Sequence, residues 1–281
     1  MKIVIKFAGV LLEDAQTVKS LAGQVAALAK RGHEILVVHG GGRVFTATLK
    51  RMGIESKFVA GLRVTDRETR EVALMVFAGL LNKQLAAAIT AAGQPAIGIS
   101  AADAESFTAE PLVHNDVPGS LGYVGYLTGA NTDLLASLWN AGLVPVAACL
   151  GLGPDGELYN INADHMAAAC AEYLQADQLI YLTDVHGVLD GERTLSALAC
   201  DEMERLVQSK VVSGGMVLKL EAAKRALEGG VRDVHIVGGT LPDGLLAAVR
   251  AAGDGPSINL PGTRVLREPI SLSEPAAFSA A

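Results

Sequence analysis

The amino-acid sequence predicts an α/β protein: a mainly parallel open sheet between two layers of helices, a three-layer αβα sandwich with two lobes. Short runs rich in β-branched and leucyl residues, such as residues 3–6, 35–39 and 178–183, alternate with longer segments of helical periodicity. This alternation is typical of βαβ units and therefore of parallel sheets. With 281 residues, the chain is long enough to bury a substantial core.

Composition narrows the classes of function. Half of the residues are apolar, 19% are charged, and the formal net charge is −7, which leaves no electrostatic footprint for a nucleic acid. Lys6 interrupts the apolar start of the chain, so no signal peptide is predicted. No uninterrupted apolar run approaches the roughly 20 residues of a membrane span. We expect neither nucleic acid nor a membrane as a partner.

The cysteines indicate the cellular compartment. Cys149, Cys170 and Cys200 are odd in number, lack the spacing of metal ligands, and lie in or beside predicted core elements. Buried free thiols are therefore expected, and they suit a reducing cytoplasm.

The chain begins with a predicted strand, helix and strand. Lys6 lies at the carboxyl end of the first strand, where ligands bind in open parallel sheets. The second strand, residues 35–39, delivers Gly40, Gly41 and Gly42 to the start of a helix. Bare backbone and unpaired N–H groups at such a point form a seat for a carboxylate or a phosphate. A flexible turn is the alternative for the glycine triplet alone.

A long apolar helix is predicted next. The loop at residues 61–66 ends in a helix cap at Thr65 or Asp66, and the helix runs from about residue 67 to 92. Residues 72–81 are apolar on nearly every face, so that one face can pack on the sheet while the opposite face needs another cover. We predict a homodimer through this helix; a helix fully inside one subunit is the alternative.

The rest of the chain continues the α/β alternation. Residues 121–127 alternate with glycines and predict a hairpin that could cover a ligand. Asn160, Asn162 and Asp164 converge at the start of an alanine-rich helix. Further strands are predicted at residues 95–100, 143–149, 178–183, 233–237 and 262–266, and further helices at residues 132–141, 215–227 and 245–252. The tail, residues 269–281, is expected to be mobile.

Common nucleotide and metal signatures are absent from the sequence. There is no G-x-x-x-x-G-K-[ST] motif, the glycine triplet lacks the third glycine of the dinucleotide fingerprint, and the six histidines show no paired spacing. What remains is a set of anion-binding and charged candidates: Lys6, Gly40, Gly41, Gly42, Arg63, Asn160, Asp164, Asp184 and Lys219.

This set resembles the amino-acid kinase superfamily and, within it, the acetylglutamate kinases. The matching segments are KFAG (6–9), VHGGG (38–42), GLRVTD (61–66), LGYVG (121–125), NINAD (160–164), LTDVHGVL (182–189) and GMVLK (215–219). They follow one another in the family's order and span nearly the whole chain. The match departs at Ala8, where the family usually has a glycine; a required positive φ would strain alanine there.

The resemblance implies ATP-dependent phosphorylation of the side-chain carboxylate of N-acetyl-L-glutamate to N-acetylglutamyl 5-phosphate, a step of arginine biosynthesis. It implies that Lys6 and Lys219 are catalytic and oriented by Asp164. The implied substrate-binding residues are Gly41, Gly42, Arg63 and Asn160. The implied nucleotide-binding residues are Gly9, Asp184, Val185, His186, Gly187, Val188, Leu189, Val211, Val212 and Ser213. Mg²⁺ would arrive with the nucleotide, without metal ligands from the protein.

The resemblance also implies two lobes that bind different substrates. Residues 1–175 would form the lobe that binds acetylglutamate and dimerises, and residues 176–268 the lobe that binds ATP. Arginine-inhibited members carry an additional amino-terminal helix before the first strand, so we expect a dimer that is insensitive to arginine.

Physical chemistry supports such a reaction. A side-chain carboxylate with an ordinary pKa of about 4.3 is already ionised at neutral pH, so no general base is required. Two anions must meet, and lysines and backbone N–H groups supply the compensating charge. Two alternatives stay open: a kinase for carrier-protein-bound aminoadipate or glutamate, and an inactive amino-acid or nucleotide sensor. The absence of a basic cluster near Arg63 and Tyr123 favours a free substrate, and the two lysines favour an enzyme.

Overall fold

A computed structural model describes residues 1–59, 61–113, 121–250 and 261–268 of the chain. The tail at residues 269–281 lies outside these described residues. The strands are β1 Lys2–Phe7, β2 Glu34–His39, β3 Phe58–Val59, β4 Leu62–Arg63, β5 Ala96–Ile99, β6 Phe107–Pro111, β7 Val124–Ala130, β8 Val144–Ala148, β9 Leu150–Leu152, β10 Leu158–Ile161, β11 Gln178–Thr183, β12 Leu189–Asp190, β13 Arg193–Thr194, β14 Ala197–Ala199, β15 Asp233–Gly238 and β16 Thr263–Leu266.

Helices separate most of the long strands. They are α1 Ala15–Lys30, α2 Gly42–Arg51, α3 Arg67–Ala73, α4 Asn82–Ala91, α5 Thr132–Asn140, α6 Ala163–Tyr173, α7 Cys200–Gln208, α8 Gly215–Glu228 and α9 Gly244–Arg250. A short 3₁₀ helix, Gly9–Leu12, follows β1, and a π-helical segment, Leu74–Leu81, joins α3 to α4. The strand and helix alternation predicted from the sequence is therefore present.

The central sheet has eight strands in the order β14-β16-β15-β11-β1-β2-β8-β5. Every neighbouring pair is parallel except β15 with β16. Two buried apolar clusters occupy the two faces: α6 and α8 contribute to one, and α1, α4 and α9 to the other. The predicted fold class, a mainly parallel sheet between two helical layers, is confirmed.

The register of the three central strands brings their following turns together. Phe7, at the end of β1, pairs with His39 of β2 on one side and with Leu182 of β11 on the other. Since parallel strands end at the same edge of a sheet, the turns that begin at Ala8, Gly40 and Asp184 leave from neighbouring points. This edge is where the sequence predicts ligand binding.

A closed four-stranded barrel stands beside the sheet and was not predicted. Its strands follow one another in the order β10-β7-β6-β9. The predicted hairpin at residues 121–127 is wrong: residues 124–130 form one strand, β7, which pairs with β6 and β10. Residues 121–123 run beside Thr65 instead, where Thr65 N donates to Leu121 O and Tyr123 N donates to Thr65 O.

The long apolar helix runs from Arg67 to Ala91 and begins at an Asp66 cap, whose side chain accepts from Thr69 N at 2.8 Å. By length and composition alone it could cross a membrane, and half of its most apolar stretch is buried inside the protein. Its apolar side chains divide between two faces. Val72, Val76, Phe77 and Leu81 are buried, whereas Leu74, Met75 and Leu80 are exposed.

Candidate active site

Two glycine turns meet at the carboxyl edge of the sheet. A Cβ added to Gly9 would lie 2.7 Å from Gly41 Cα and 2.8 Å from Gly41 N, so only a residue without a side chain fits there. Ala8 has φ −65° and ψ 138°, an extended conformation that is ordinary for alanine. The departure from the family pattern at Ala8 therefore causes no backbone strain.

Three charged side chains from three elements converge beside these turns. Lys6 Nζ lies 2.9 Å, and Lys219 Nζ 2.7 Å, from the same oxygen, Asp164 Oδ1. Lys6 is the last residue but one of β1, Lys219 lies in the second turn of α8, and Asp164 lies in the first turn of α6. All three are buried, with exposed fractions of 6%, 5% and 9%. The predicted catalytic residues are thus brought together, although their roles stay predictions.

The helix start fixes the position of Asp164. Asn162 caps α6, because its side chain accepts from Asp164 N at 2.9 Å and from His165 N at 3.1 Å. Tyr181 supports the same turn from the sheet by donating its hydroxyl to Asp164 O at 3.2 Å, and Lys219 Nζ lies 5.0 Å from the centre of the Tyr181 ring. The carboxylate that joins the two lysines is therefore held by backbone and side-chain contacts.

Electrostatics leave this cluster with a net positive charge. Burial raises the pKa of Asp164, but Lys6 and Lys219 outweigh burial and lower that pKa to about 2. Burial and the charge of Lys6 lower the pKa of Lys219 to about 8, against the opposing effect of Asp164. Near neutral pH, two ammonium groups share one carboxylate. The remaining positive charge suits a site that must hold phosphoryl oxygens.

We expect kcat/KM for ATP to fall as the pH rises above about 8, because Lys219 then loses its proton in the free enzyme. Initial rates at subsaturating ATP across pH 7 to roughly pH 10 test this, with circular dichroism at each pH to exclude unfolding. A rate that stays constant while the fold is intact would show that Lys219 is not required in its charged form.

A cavity of about 250 Å³ opens next to this cluster. The candidate residues among those that line it are Lys6, Gly9, Gly40, Gly41, Gly42, Arg63, Asn160 and Asp164. The volume suits a small acceptor. A larger cavity of about 680 Å³ lies between α1 and α4, but its lining is mainly apolar and lies away from the charged cluster.

Arg63 and Asn160 form the polar end of the smaller cavity. The guanidinium of Arg63 donates to Thr46 Oγ1 at 2.7 Å and to Ser56 Oγ. Asn160 Nδ2 donates to Thr65 Oγ1 at 3.2 Å. Thr65 follows Arg63 by two residues in the chain. These contacts hold a planar cation and an amide in the lining of the cavity that Lys6 and Asp164 also line, and the planar guanidinium suits a carboxylate.

The predicted nucleotide-binding residues do not line this cavity, apart from Gly9. Asp184, His186, Leu189, Val211 and Ser213 are exposed, and Val185 is half-buried. Val188 and Val212 are buried in the core, and Gly187 packs against Thr194 and Thr263. Any contact of Val188 or Val212 with a nucleotide would therefore have to come from the backbone.

His39 is a supporting residue that sequence reasoning missed. It is fully buried, Nδ1 donates to Gly40 O at 3.0 Å, and Nε2 accepts from Asn82 Nδ2 at 3.2 Å. Burial lowers the pKa of His39 to about 4, so that the ring is neutral and braces the glycine turn. The signal in the sequence was a histidine that ends a buried strand directly before the glycine triplet.

The cysteines are free in the structure, and Cys149 lines the cavity. Burial raises the pKa of Cys149 to about 12, so its thiol stays protonated and is a poor nucleophile. Cys170 is also buried, and Cys200 is half-buried. Within the described residues, no group of three or more His, Cys, Asp or Glu side chains could hold a metal ion.

Together, the sheet edge, the glycine turns and the paired lysines form a site that suits a small anion. Residues 1–238 match the Amino acid kinase family, and the chain belongs to that family. The resemblance inferred from the seven sequence motifs is therefore confirmed.

Similar proteins support this assignment. The chain is 52% identical to an acetylglutamate kinase of Koribacter versatilis, over 87% of this chain and 93% of that protein. It is 46% identical to an acetylglutamate kinase of Acidobacterium capsulatum, over 84% and 90%. Among solved structures, N-acetylglutamate synthase of Neisseria gonorrhoeae, complexed with coenzyme A and N-acetyl-glutamate, has a TM-score of 0.81 at 27% identity. This likeness covers 95% of this chain and 60% of the synthase.

Proposed function

We propose that this protein is an ATP-dependent kinase that phosphorylates the side-chain carboxylate of N-acetyl-L-glutamate, giving N-acetylglutamyl 5-phosphate in arginine biosynthesis. The observation that carries the proposal is the contact of Lys6 and Lys219 with a single Asp164 oxygen beside a cavity that ends at Arg63. The relatives named acetylglutamate kinase support the choice of acceptor over a carrier-bound one.

In the proposed reaction, the ionised acceptor carboxylate attacks the γ-phosphorus of ATP, and the bond from that phosphorus to the leaving oxygen of ADP breaks. Lys6 and Lys219 offset the negative charge on the phosphoryl oxygens, and Asp164 holds the two ammonium groups at one point. The N–H groups of the turns at Gly9, Gly41 and Gly42 add fixed donors without reorganisation.

The two ends of the acceptor would be bound separately. Arg63 has a planar fork of donors that suits the α-carboxylate, and Asn160 contributes an amide. The segments 184–189 and 211–213 would bind ATP. Since Asp164 is already paired with two lysines, Mg²⁺ would be held by the phosphates of the nucleotide, where it neutralises their charge.

Two organisational proposals accompany the reaction. Residues 1–175 form the lobe for acetylglutamate and residues 176–268 the lobe for ATP.

The protein is a cytoplasmic homodimer through the helix around residues 72–81, because Leu74, Met75 and Leu80 present an exposed apolar face there. Sedimentation of the wild type and of a Met75→Glu variant tests the dimer, since a charge on this face should dissociate it.

ADP release with different acceptors tests the function. N-acetyl-L-glutamate should support turnover, whereas glutamate, aminoadipate and carbamate should not approach its kcat/KM. Turnover with a carrier-bound acceptor alone would assign the protein to the carrier-dependent kinases. Nucleotide binding without turnover on any of these acceptors would make it a sensor.

Arg63→Ala is expected to raise the KM for N-acetylglutamate by about 10- to 100-fold, the worth of a lost hydrogen bond to a charged group. The KM for ATP and the kcat should change little, because Arg63 contacts Thr46 and Ser56 and is not among the partners of Lys6, Lys219 or Asp164. Steady-state kinetics with each substrate varied test this, with Arg51→Ala at the exposed end of α2 as the control. A fall in kcat alone would contradict the assignment of Arg63 to binding.

A further inference from the structure

The register of a two-stranded hairpin places an aromatic ring on Arg63. Phe58 of β3 lies directly opposite Arg63 of β4 in the antiparallel ladder, and side chains opposite one another in such a ladder share a face. The guanidinium carbon lies 4.5 Å from the centre of the Phe58 ring and 4.8 Å from that of Phe45. Both aromatic rings therefore lie within cation–π distance of the Arg63 guanidinium.

Hydroxyl groups fix the edge of the same guanidinium. Thr46 Oγ1 accepts from Arg63 Nη2 at 2.7 Å and donates to Gly42 O at 2.7 Å, so it joins Arg63 to the glycine turn. Ser56 Oγ accepts from Nη1. Among the residues that the structure describes, no carboxylate oxygen lies within 4.0 Å of Arg63. Three of the five N–H donors remain for a ligand.

The two rings differ in what else they do. Phe45 is 1% exposed and packs edge-on against Phe77, with ring centres 4.9 Å apart, so that it belongs to the core. Phe58 is 59% exposed and gives the core little apolar burial. Single exposed aromatic residues are common and need no function. Phe58, however, lines the same cavity as Arg63 and contacts its guanidinium.

We propose that Phe58 and Thr46 are positioning residues for the acceptor: they hold the plane of Arg63 so that donors on its free edge face the α-carboxylate of the substrate. This inference rests on the proposed function and deepens it, because it names the residues that set recognition of the carboxylate end. The ring restricts tilting of the guanidinium, and the hydroxyl restricts its rotation. A preorganised fork loses less conformational freedom when the carboxylate binds.

The test uses the full-length enzyme with Phe58→Leu and Thr46→Val, which remove the ring and the hydroxyl from exposed positions. Each variant should raise the KM for N-acetylglutamate, by about two- to fivefold for Phe58→Leu, with kcat and the KM for ATP unchanged. Phe58→Tyr should keep the wild-type KM. Met52→Ala, at a residue with 54% exposure outside the cavity, is the matched control.

A double-mutant cycle separates positioning from direct contact with the substrate. In an Arg63→Met background, Phe58→Leu should leave kcat/KM for N-acetylglutamate unchanged, because there is no guanidinium left to position. A full effect of Phe58→Leu in that background, or a wild-type KM for the single variant, overturns the proposal. Either result leaves the function itself standing, whereas a wild-type enzyme inactive on N-acetylglutamate overturns the function first.

Discussion

Lys219→Ala is expected to lower kcat by about 10²- to 10³-fold, the cost of removing one well-aimed charge stabiliser from a transition state. The KM for N-acetylglutamate should change little, since Arg63 and Asn160 are the residues proposed to hold the other end of the acceptor. The fold should survive, because Lys6 remains 2.9 Å from Asp164 and leaves that buried carboxylate paired.

Lys224→Ala is the control for the steady-state kinetics of Lys219→Ala. Lys224 lies on the same helix, α8, and pairs with Glu204 at 3.2 Å on the surface, so that the control removes the same charge without touching the site. Its kcat should equal that of the wild type. If Lys219→Ala mainly raised the KM for acetylglutamate, the lysine would belong to substrate binding rather than to phosphoryl transfer.

Asp164→Ala is expected to lower the free energy of unfolding by about 3–5 kcal/mol, because it leaves two buried ammonium groups without their shared carboxylate. Denaturant unfolding at pH 7 measures the loss. Glu204→Gln provides a control that removes one surface carboxylate from an exposed pair and should leave the midpoint nearly unchanged.

The pH dependence of this loss distinguishes electrostatic from packing effects. In the wild type, the pKa of Asp164 is about 2 and thus below its ordinary value, so its stabilisation is present above about pH 4 and is lost as the pH falls towards 2. In Asp164→Ala, the pKa of Lys219 should fall below its wild-type value of about 8, because Asp164 no longer raises it, so the deficit should shrink as the pH rises towards about 8. A deficit that is constant across this range would indicate lost packing instead.

The parallel sheet and the convergence of its turns were predictable from the sequence, for a local reason. Strands such as β2 and β11 are continuous apolar runs, and each is followed by glycine or a carboxylate where the chain leaves the sheet. Parallel pairing then places those exits at one edge. That rule covers Lys6 only; its convergence with Asp164 and Lys219, which lie in helices α6 and α8, was implied by the family's motifs.

Other features of the structure could not be predicted from the hydrophobic periodicity of the sequence. The barrel strand β9 has only three residues, Leu150–Leu152, and besides the nearby β10 it pairs with Thr108 of β6, which is distant in sequence. The π segment Leu74–Leu81 is apolar all round, so its composition cannot reveal an altered hydrogen-bond period. The aromatic contact on Arg63 depends on the register of a hairpin whose strands have two residues each.

The position of β1 in the middle of the sheet has a consequence for biosynthesis. Its neighbours are β2, which follows directly, and β11, which begins only at Gln178, and Lys219 lies beyond both. A ribosome must therefore release most of the polypeptide before the second ammonium group can reach Asp164. The cluster of Lys6, Asp164 and Lys219 can therefore assemble only late in translation.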